Sequence, residues 1–411
     1  MCAVTPDNLP LSLLDELIDN ERRARFFTGS EVPDPTIARR LLASLGPLPR
    51  PQVSIHVAGS EGKTSTTERL AAGLSALGLS TGAFTSPHLH DPLERLRIDG
   101  VLPPVQAVAQ AAADVMAAAN RAQLTPTWFD AMTAVARLLF ARQGVDAVVW
   151  ETGLGGRLDS TRAVPADLCL ITSISLEHRA VLGQTIEAIA GEKAGILREG
   201  VPLLLPAGLA TGARQVFVDR AQALGCSVER VSSSAAAGPQ ELSADMALAA
   251  LRRLADGGHI AAPDEATSRA VRAWQVAGRG QRHGDVLFDG AHSLAATERL
   301  ARELKALPPG PVVFAATSGR DAQAMAAALL HVADPLIVTA VPGPRQGEAP
   351  DELVKALGAQ GQSGLAAPLA EADPERALAL ARELFQPGRQ IVVTGSLYLV
   401  GLLLPDRSSP C

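Results

Sequence analysis

Residues 53–67, VSIHVAGSEGKTSTT, narrow what this chain can fold into more than any other stretch. A short apolar run closes at Ala58, the turn-forming GSEG follows, and Lys63 opens a Ser/Thr-rich segment whose helical pattern runs to Leu77. Strand, loop and helix in that order aim the N–H groups of the loop and of the helix start at one spot, where an anionic phosphate can be held with few side chains. Gly59 and Gly62 permit the close approach and the unusual dihedrals around Ser60 and the rest of the loop. Lys63 would reach the outer phosphates, and Thr64 or Ser65 would turn a hydroxyl toward phosphate or Mg2+. The pattern is shorter than the full GxxxxGK[ST] signature. Lysine is nevertheless scarce here: Lys63, Lys193, Lys305 and Lys355 are the only four in a chain that otherwise uses arginine.

At 411 residues the chain exceeds the size at which one core keeps growing, so two domains are expected. With 47% hydrophobic residues it can bury both cores. A formal net charge of −6, a pI near 5.8 and the lack of a basic run argue against nucleic acid as a partner. Cys2, Cys169, Cys226 and Cys411 are scattered without CxxC spacing, which indicates neither a zinc site nor a disulfide framework and fits reduced thiols in a cytoplasm. No signal pattern opens the sequence and no apolar run reaches membrane-spanning length, so no membrane association is expected.

In chain order, residues 9–27 show an amphipathic helical pattern, and TGSEVPDP leads to a second helix near 36–45. After the phosphate loop and its helix, residues 80–84 read as a strand and TSPHLHDPLERLRIDG as an irregular polar loop. Helical patterns occupy about 104–122 and 128–142. VDAVVWE is a buried strand ending in Glu151, followed by GLGGRLDS, and DLCLITS is another, delivering SLEHR with His178 just beyond it. Helix, strand and helix continue through 184–224, and SSSAAAGPQE reads as a linker before a helix at 243–256. From about Asp285 a fresh βα series begins with VLFDG and ends with QIVVTGS. The boundary is placed at GRGQRHG, giving a first domain over 1–283 and a second over 284–411.

Ser86, Glu151, His178 and Lys193 all follow strands or belong to the next helix near the phosphate loop. In an open parallel α/β sheet ligands collect outside the carboxyl ends of the strands. Mg2+ takes oxygen ligands and keeps phosphate oxygens in its shell, so a serine hydroxyl and a carboxylate suit a nucleotide-bound metal.

Taken together, these segments resemble the folylpolyglutamate synthase/dihydrofolate synthase family of the Mur ligase superfamily. HVAGSEGKTST is similar to its phosphate loop, TSPHLHDPLERLRIDG to its mobile loop, and TWFDAMTAVARLLFARQGVDAVVWETGLGGRLDST to its central helix, strand and glycine segment. ITSISLEHRAVLGQTIEAIAGEKAGIL, AGRGQ, VLFDGAHS and TGSLYLVG follow in the same order. The resemblance implies an α/β, Mur-ligase-like fold, with a P-loop-containing central parallel-sheet domain and a smaller Rossmann-like domain. It implies ATP and two Mg2+ ions as cofactors, and carboxylic-acid and amino-acid substrates. The implied reaction is an ATP-driven amide ligation through an acyl phosphate, with closure of the small domain to exclude water.

By the same resemblance Lys63 contacts phosphates, Ser86 and Glu151 hold one metal, and Glu151, His178 and a carbamylated Lys193 serve a second. Asp289 and His292 would face the nucleotide, Arg279 would stabilise phosphate charge, and Thr127, Phe129 and Asp159 fall where folate-using members hold the pterin. The sequence departs from the family where an amide is replaced by Glu61, an aspartate by Glu177, and asparagines by Ser243 and Ser293. Ser160-Thr161-Arg162 replaces alanine, threonine and asparagine. These departures leave open a specialised ligase for a non-folate carboxylic acid, or a binding paralogue without catalysis.

Overall fold

The structure, a computed structural model, describes residues 14, 17, 35–234, 238–342, 346–358 and 365–405. Apart from Leu14 and Leu17, the helix expected over 9–27 lies outside them. Chain contacts divide the molecule into two compact units that part between Trp274 and Gln275.

In the first unit, β1 (Val53–Ala58) sits between β4 (Ala147–Glu151) and β5 (Leu168–Ile171), parallel to both. The sheet extends past β4 through β2 (Thr81–Phe84) to β3 (Leu96–Ile98), and past β5 through β6 (Leu203–Pro206) to β7 (Val228–Val231), giving the order β3-β2-β4-β1-β5-β6-β7. Every residue of β1 is buried, as expected of a parallel strand covered on both faces. Val53, Ile55 and Val57 pack against Leu70 and Leu74 of α2 (Lys63–Ala76) and Ala247 and Leu251 of α8 (Pro239–Asp256). Each of the fully buried Val, Ile and Leu side chains among these contributes roughly 1.5–3 kcal/mol. The alternate residues of β1 face the other layer, where Ala58 meets Ala190 of α6 (Ile186–Lys193) and Phe217 of α7 (Thr211–Ala223). That layer also contains α1 (Pro35–Ser44), α3 (Val105–Arg121) and α4 (Trp128–Gln143) alongside the β2–β4 end, where Trp150 meets Phe84 tilted and Phe140 edge-on. The short α5 (Arg179–Leu182) and α9 (Glu265–Ala273) complete the unit.

The second unit has its own six-stranded sheet, in the order β12-β11-β10-β13-β9-β8. Its strands are β8 (Gln281–His283), β9 (Val286–Asp289), β10 (Gly310–Phe314), β11 (Ala333–Val338), β12 (Leu369–Ala370) and β13 (Ile391–Thr394). Its helices are α10 (Leu294–Leu304), α11 (Ala322–Leu329), α12 (Pro350–Leu357), α13 (Pro374–Glu383) and α14 (Leu397–Leu403). Val312, Phe314, Leu336 and Val392 of the sheet bury against Leu300, Leu329 and Leu353 of the helices.

Three local expectations need correction. TSPHLHDPLERLRIDG is not irregular throughout: Pro92–Arg95 form a 3-10 turn capped by Asp91, and β3 pairs antiparallel with β2. The helix expected from residue 243 begins at Pro239, whose fixed φ suits a first helical position. The GRGQRHG segment contributes Gln281–His283 as the edge strand β8, paired antiparallel with β9, and so belongs to the second sheet. Among the described residues no helix is long and apolar enough to cross a membrane.

Candidate active site

The loop after β1 is tied down by the segment that follows β5. Ser60 N donates to Ser173 O at 2.9 Å and Glu61 N to Ser173 Oγ at 2.8 Å, while Thr172 Oγ1 donates to Glu61 O at 2.6 Å. Ser60 Oγ accepts from Ser175 N at 3.0 Å. Gly59 has φ +156°, and a Cβ there would overlap the Thr172 hydroxyl. Gly62 has φ +81° as the residue before α2, a left-handed position that glycine takes without strain. The first N–H groups of α2 have no carbonyl one turn earlier, so they and the helix dipole are left for an anion.

Two of the four lysines converge on one carbonyl. Lys63 Nζ donates to Gly59 O at 3.0 Å and Ser60 O at 3.2 Å, and Lys193 Nζ donates to Gly59 O at 2.8 Å. Lys193 also pairs with Glu177 Oε1 at 2.8 Å, both side chains being almost fully buried. Burial pushes the Lys193 amine below its ordinary range, nearby Lys63 pushes the same way, and Glu177 opposes them. Burial would raise the Glu177 carboxyl, but the charges of Lys193, Lys63 and His178 and the Lys193 hydrogen bond outweigh it and hold the group down to about 2. His178, next in the chain, has φ +44°, a left-handed conformation uncommon outside glycine.

On the other side of the loop, Glu151 ends β4 with 1% exposure. Its carboxylate accepts from Thr64 Oγ1 at 2.9 Å and from Ser86 N at 3.2 Å. The structure thus gathers Gly59, Ser60, Gly62, Lys63, Thr64, Ser86, Glu151 and Lys193 at the carboxyl ends of β1 and β4. Ser65 is buried within α2. Lys193 is met by Glu177 rather than by Glu151, a partnership that the sequence alone signalled only through the neighbouring SLEHR motif.

Thr127, Phe129 and Asp159 form a second group. Thr127 caps α4 in a reciprocal box with Asp130, and Asp130 Oδ1 accepts from Ser160 Oγ at 2.5 Å. Phe129 lies against Gly153, where a Cβ would come 2.7 Å from the ring. Asp159 folds the glycine segment onto itself: Leu154 N donates to Oδ2 at 3.0 Å, and Thr161 N donates to Oδ1 at 2.9 Å. Burial pushes the Asp159 carboxyl up, against those hydrogen bonds.

Within the second unit, Arg279, Asp289 and His292 gather around Gly290. Arg279 Nη1 donates to Gly290 O at 3.2 Å, His292 Nδ1 lies 2.9 Å from the same oxygen, and Asp289 Oδ1 accepts from Ala291 N at 3.0 Å. The two serines that replace asparagines do local work: Ser293 Oγ caps α10 through Ala296 N at 3.1 Å, and Ser243 Oγ donates back to Pro239 O at 2.6 Å.

The donor chemistry fits a nucleotide-bound Mg2+. Such an ion is held by one or two carboxylates plus phosphate oxygens and needs no all-protein cage. Among the described residues no cluster of three His, Cys, Asp or Glu side chains forms such a cage.

A family model, "Mur ligase, glutamate ligase domain", matches residues 274–397. The dihydrofolate synthase/folylpolyglutamate synthase of Bacillus subtilis is 42% identical over 173 residues, covering 40% of each chain, so this match spans well under two thirds of that relative. The enzyme of the same name from Escherichia coli is 32% identical over 349 residues, covering 77% of this chain and 79% of its own length. The solved structure of Escherichia coli FolC in complex with DHPP and ADP superposes with a TM-score of 0.80 at 28% identity, covering 93% of this chain and 95% of that one.

Proposed function

From the premise that the chain belongs to the dihydrofolate synthase/folylpolyglutamate synthase family, we propose that it is an ATP-dependent ligase that joins the carboxylate of a folate or pteroate to glutamate. The observation that carries this reading is the convergence of Lys63 and Lys193 on Gly59 O, beside a buried Glu151 held by Thr64 and the Ser86 amide. In such a site Lys63 offsets the charge of a triphosphate on one side and Glu151 offers an anionic oxygen on the other.

A carboxylate oxygen of the acid attacks the γ-phosphorus of ATP, ADP leaves, and an acyl phosphate forms. The amine of the amino acid then attacks the acyl carbon, loses its proton and expels phosphate. Little covalent chemistry falls to the protein, so its contribution is positioning and electrostatic stabilisation. Lys63 and the α2 N-terminus bind the phosphates. Ser86 and Glu151 would hold Mg2+, with His178 and Lys193 serving a second ion; the metal supplies charge neutralisation on the phosphate oxygens. As an ammonium Lys193 cannot be a ligand, whereas as a carbamate it would offer the oxygen donors that Mg2+ prefers. Its burial favours the neutral amine that CO2 requires, whereas Glu177 must release it first. Thr127, Phe129 and Asp159 line the side on which the acid's ring system rests. The unpaired Cys169 and Cys226 suit a reducing cytoplasm.

Phosphate release should require ATP, Mg2+, glutamate and dihydropteroate or a reduced folate together, and mass spectrometry should find the glutamyl product. Turnover with a non-folate acid alone would leave the specialised ligase standing in place of this reading. Absence of nucleotide binding by calorimetry at millimolar ATP analogue would leave the non-catalytic one. Carbamylation is read separately, as a carbamate resonance after incubation with 13C-bicarbonate that is lost in Lys193→Ala.

A further inference from the structure

His56 is the one ring-bearing polar side chain of the central strand β1, and it is fully buried. Its Nε2 lies 2.8 Å from Thr161 Oγ1, and Arg198 Nη1 lies 3.3 Å from its Nδ1. These contacts admit a single arrangement of protons. A guanidinium has no acceptor, so Nδ1 must accept. The Thr161 hydroxyl spends its only proton on Asp159 Oδ1, so its oxygen must accept from Nε2–H. His56 is therefore the neutral Nε2–H tautomer, and burial together with Arg198 and Arg162 keeps it unprotonated. Arg198 is itself anchored: its Nη2 donates to Arg162 O at 3.0 Å, within the turn that carries Thr161, and to Val164 O at 2.6 Å, the residue that ends it.

The chain of donors runs on. Asp159, oriented at Oδ1 by Thr161, accepts Leu154 N at Oδ2 and so sets the backbone of the glycine segment, whose Gly153 packs on Phe129. We propose that Arg198, His56 and Thr161 form a positioning relay that fixes Asp159 and, through it, the 153–156 segment against which the acid substrate rests. The identity of that substrate rests on the ligase reading above; the relay itself does not. None of the three hydrogen-bonds to Lys63 or Lys193, so the relay acts first on the acid's side of the site.

The test uses the full chain. In Thr161→Val, which keeps the shape and removes the hydroxyl with both its hydrogen bonds, to His56 and to Asp159, KM for the acid should rise at least about tenfold. KM for ATP and kcat should stay within about twofold. Thr161→Ser should restore the acid KM, and His56→Gln, whose amide nitrogen can stand near Nε2, should lie closer to the parent than His56→Leu. Two measurements need no turnover: 15N shifts of the His56 ring should show Nε2 protonated and Nδ1 bare, and exchange of the Leu154 amide should accelerate in Thr161→Val. A protonated Nδ1 overturns the relay, as does a folded Thr161→Val protein whose acid KM is unchanged. If the parent turns over no acid, the ligase reading falls, and Leu154 exchange decides the relay alone: an unchanged rate overturns it.

Discussion

Gly59 is the most constrained residue of the site. An added Cβ meets the Thr172 hydroxyl, and Thr172 is the residue that ties Glu61 into the loop. Gly59→Ala should therefore cost about 2 kcal/mol in urea unfolding and lower the affinity for an ATP analogue at least tenfold by calorimetry. Unaltered binding would mean that the loop does not cradle phosphate. Glu94 shows the same economy in the loop after β2. It accepts from Leu89 N at 2.8 Å and from His90 N at 3.2 Å and pairs with the His90 ring. Burial would raise its carboxyl, yet the hydrogen bond from His90 and the backbone donors hold it to about 2, below the ordinary 4.5. A depressed carboxyl stabilises fully above the unfolded value and loses that contribution as pH falls from about 4.5 through about 2. Glu94→Gln should flatten that acid limb, removing roughly 2 kcal/mol of pH dependence, measured as unfolding free energy at pH 5 and pH 2.5. A parallel pair of profiles would show that Glu94 is not the group responsible.

At the scale of elements, helix starts carry much of the site. The N-terminus of α2 is left for an anion, whereas α4 and α10 close theirs with Thr127 and Ser293. Ser293 stands where the family resemblance expects asparagine, and both residues are good caps. Ser293→Ala should lose about 1 kcal/mol of stability and Ser293→Asn less than about 0.5 kcal/mol, read from urea midpoints. An alanine variant as stable as the parent would show that the cap is dispensable and that serine is retained for some other reason. The strands obey a similar division: β1 and β4 are buried end to end, while β7 and β12, at opposite edges of the two sheets, are mostly exposed and short. Those exposed strands were missed in the sequence because neither shows an apolar run.

Across the whole molecule, each unit closes its own sheet over its own core. The second unit should therefore fold alone. Expressed as residues 275–411, it should unfold cooperatively in urea with far-UV circular dichroism matching mixed helix and strand. A non-cooperative, sloping transition would show that it depends on the first unit.

Periodicity and turn chemistry determined the alternation of β and α elements, the glycine-bearing loop between β1 and α2, and the two-unit plan. These are local properties: an apolar run, a GSEG turn and a lysine at a helix start are each readable within about twenty residues. The resemblance suggested roles for Ser86, Glu151, His178 and Lys193, again by position along the chain, and those roles stand as proposals. What only the tertiary structure decided are the partnerships between distant segments. Lys193 is matched with Glu177 and bonded to Gly59 O, 134 positions away, and His56 reaches Thr161 across 105. The order β3-β2-β4-β1-β5-β6-β7 brings those segments beside one another at β1. No local preference encodes them, because a hydrogen bond between a buried lysine and a remote carbonyl exists only once both backbones have been placed by the packing of the sheet.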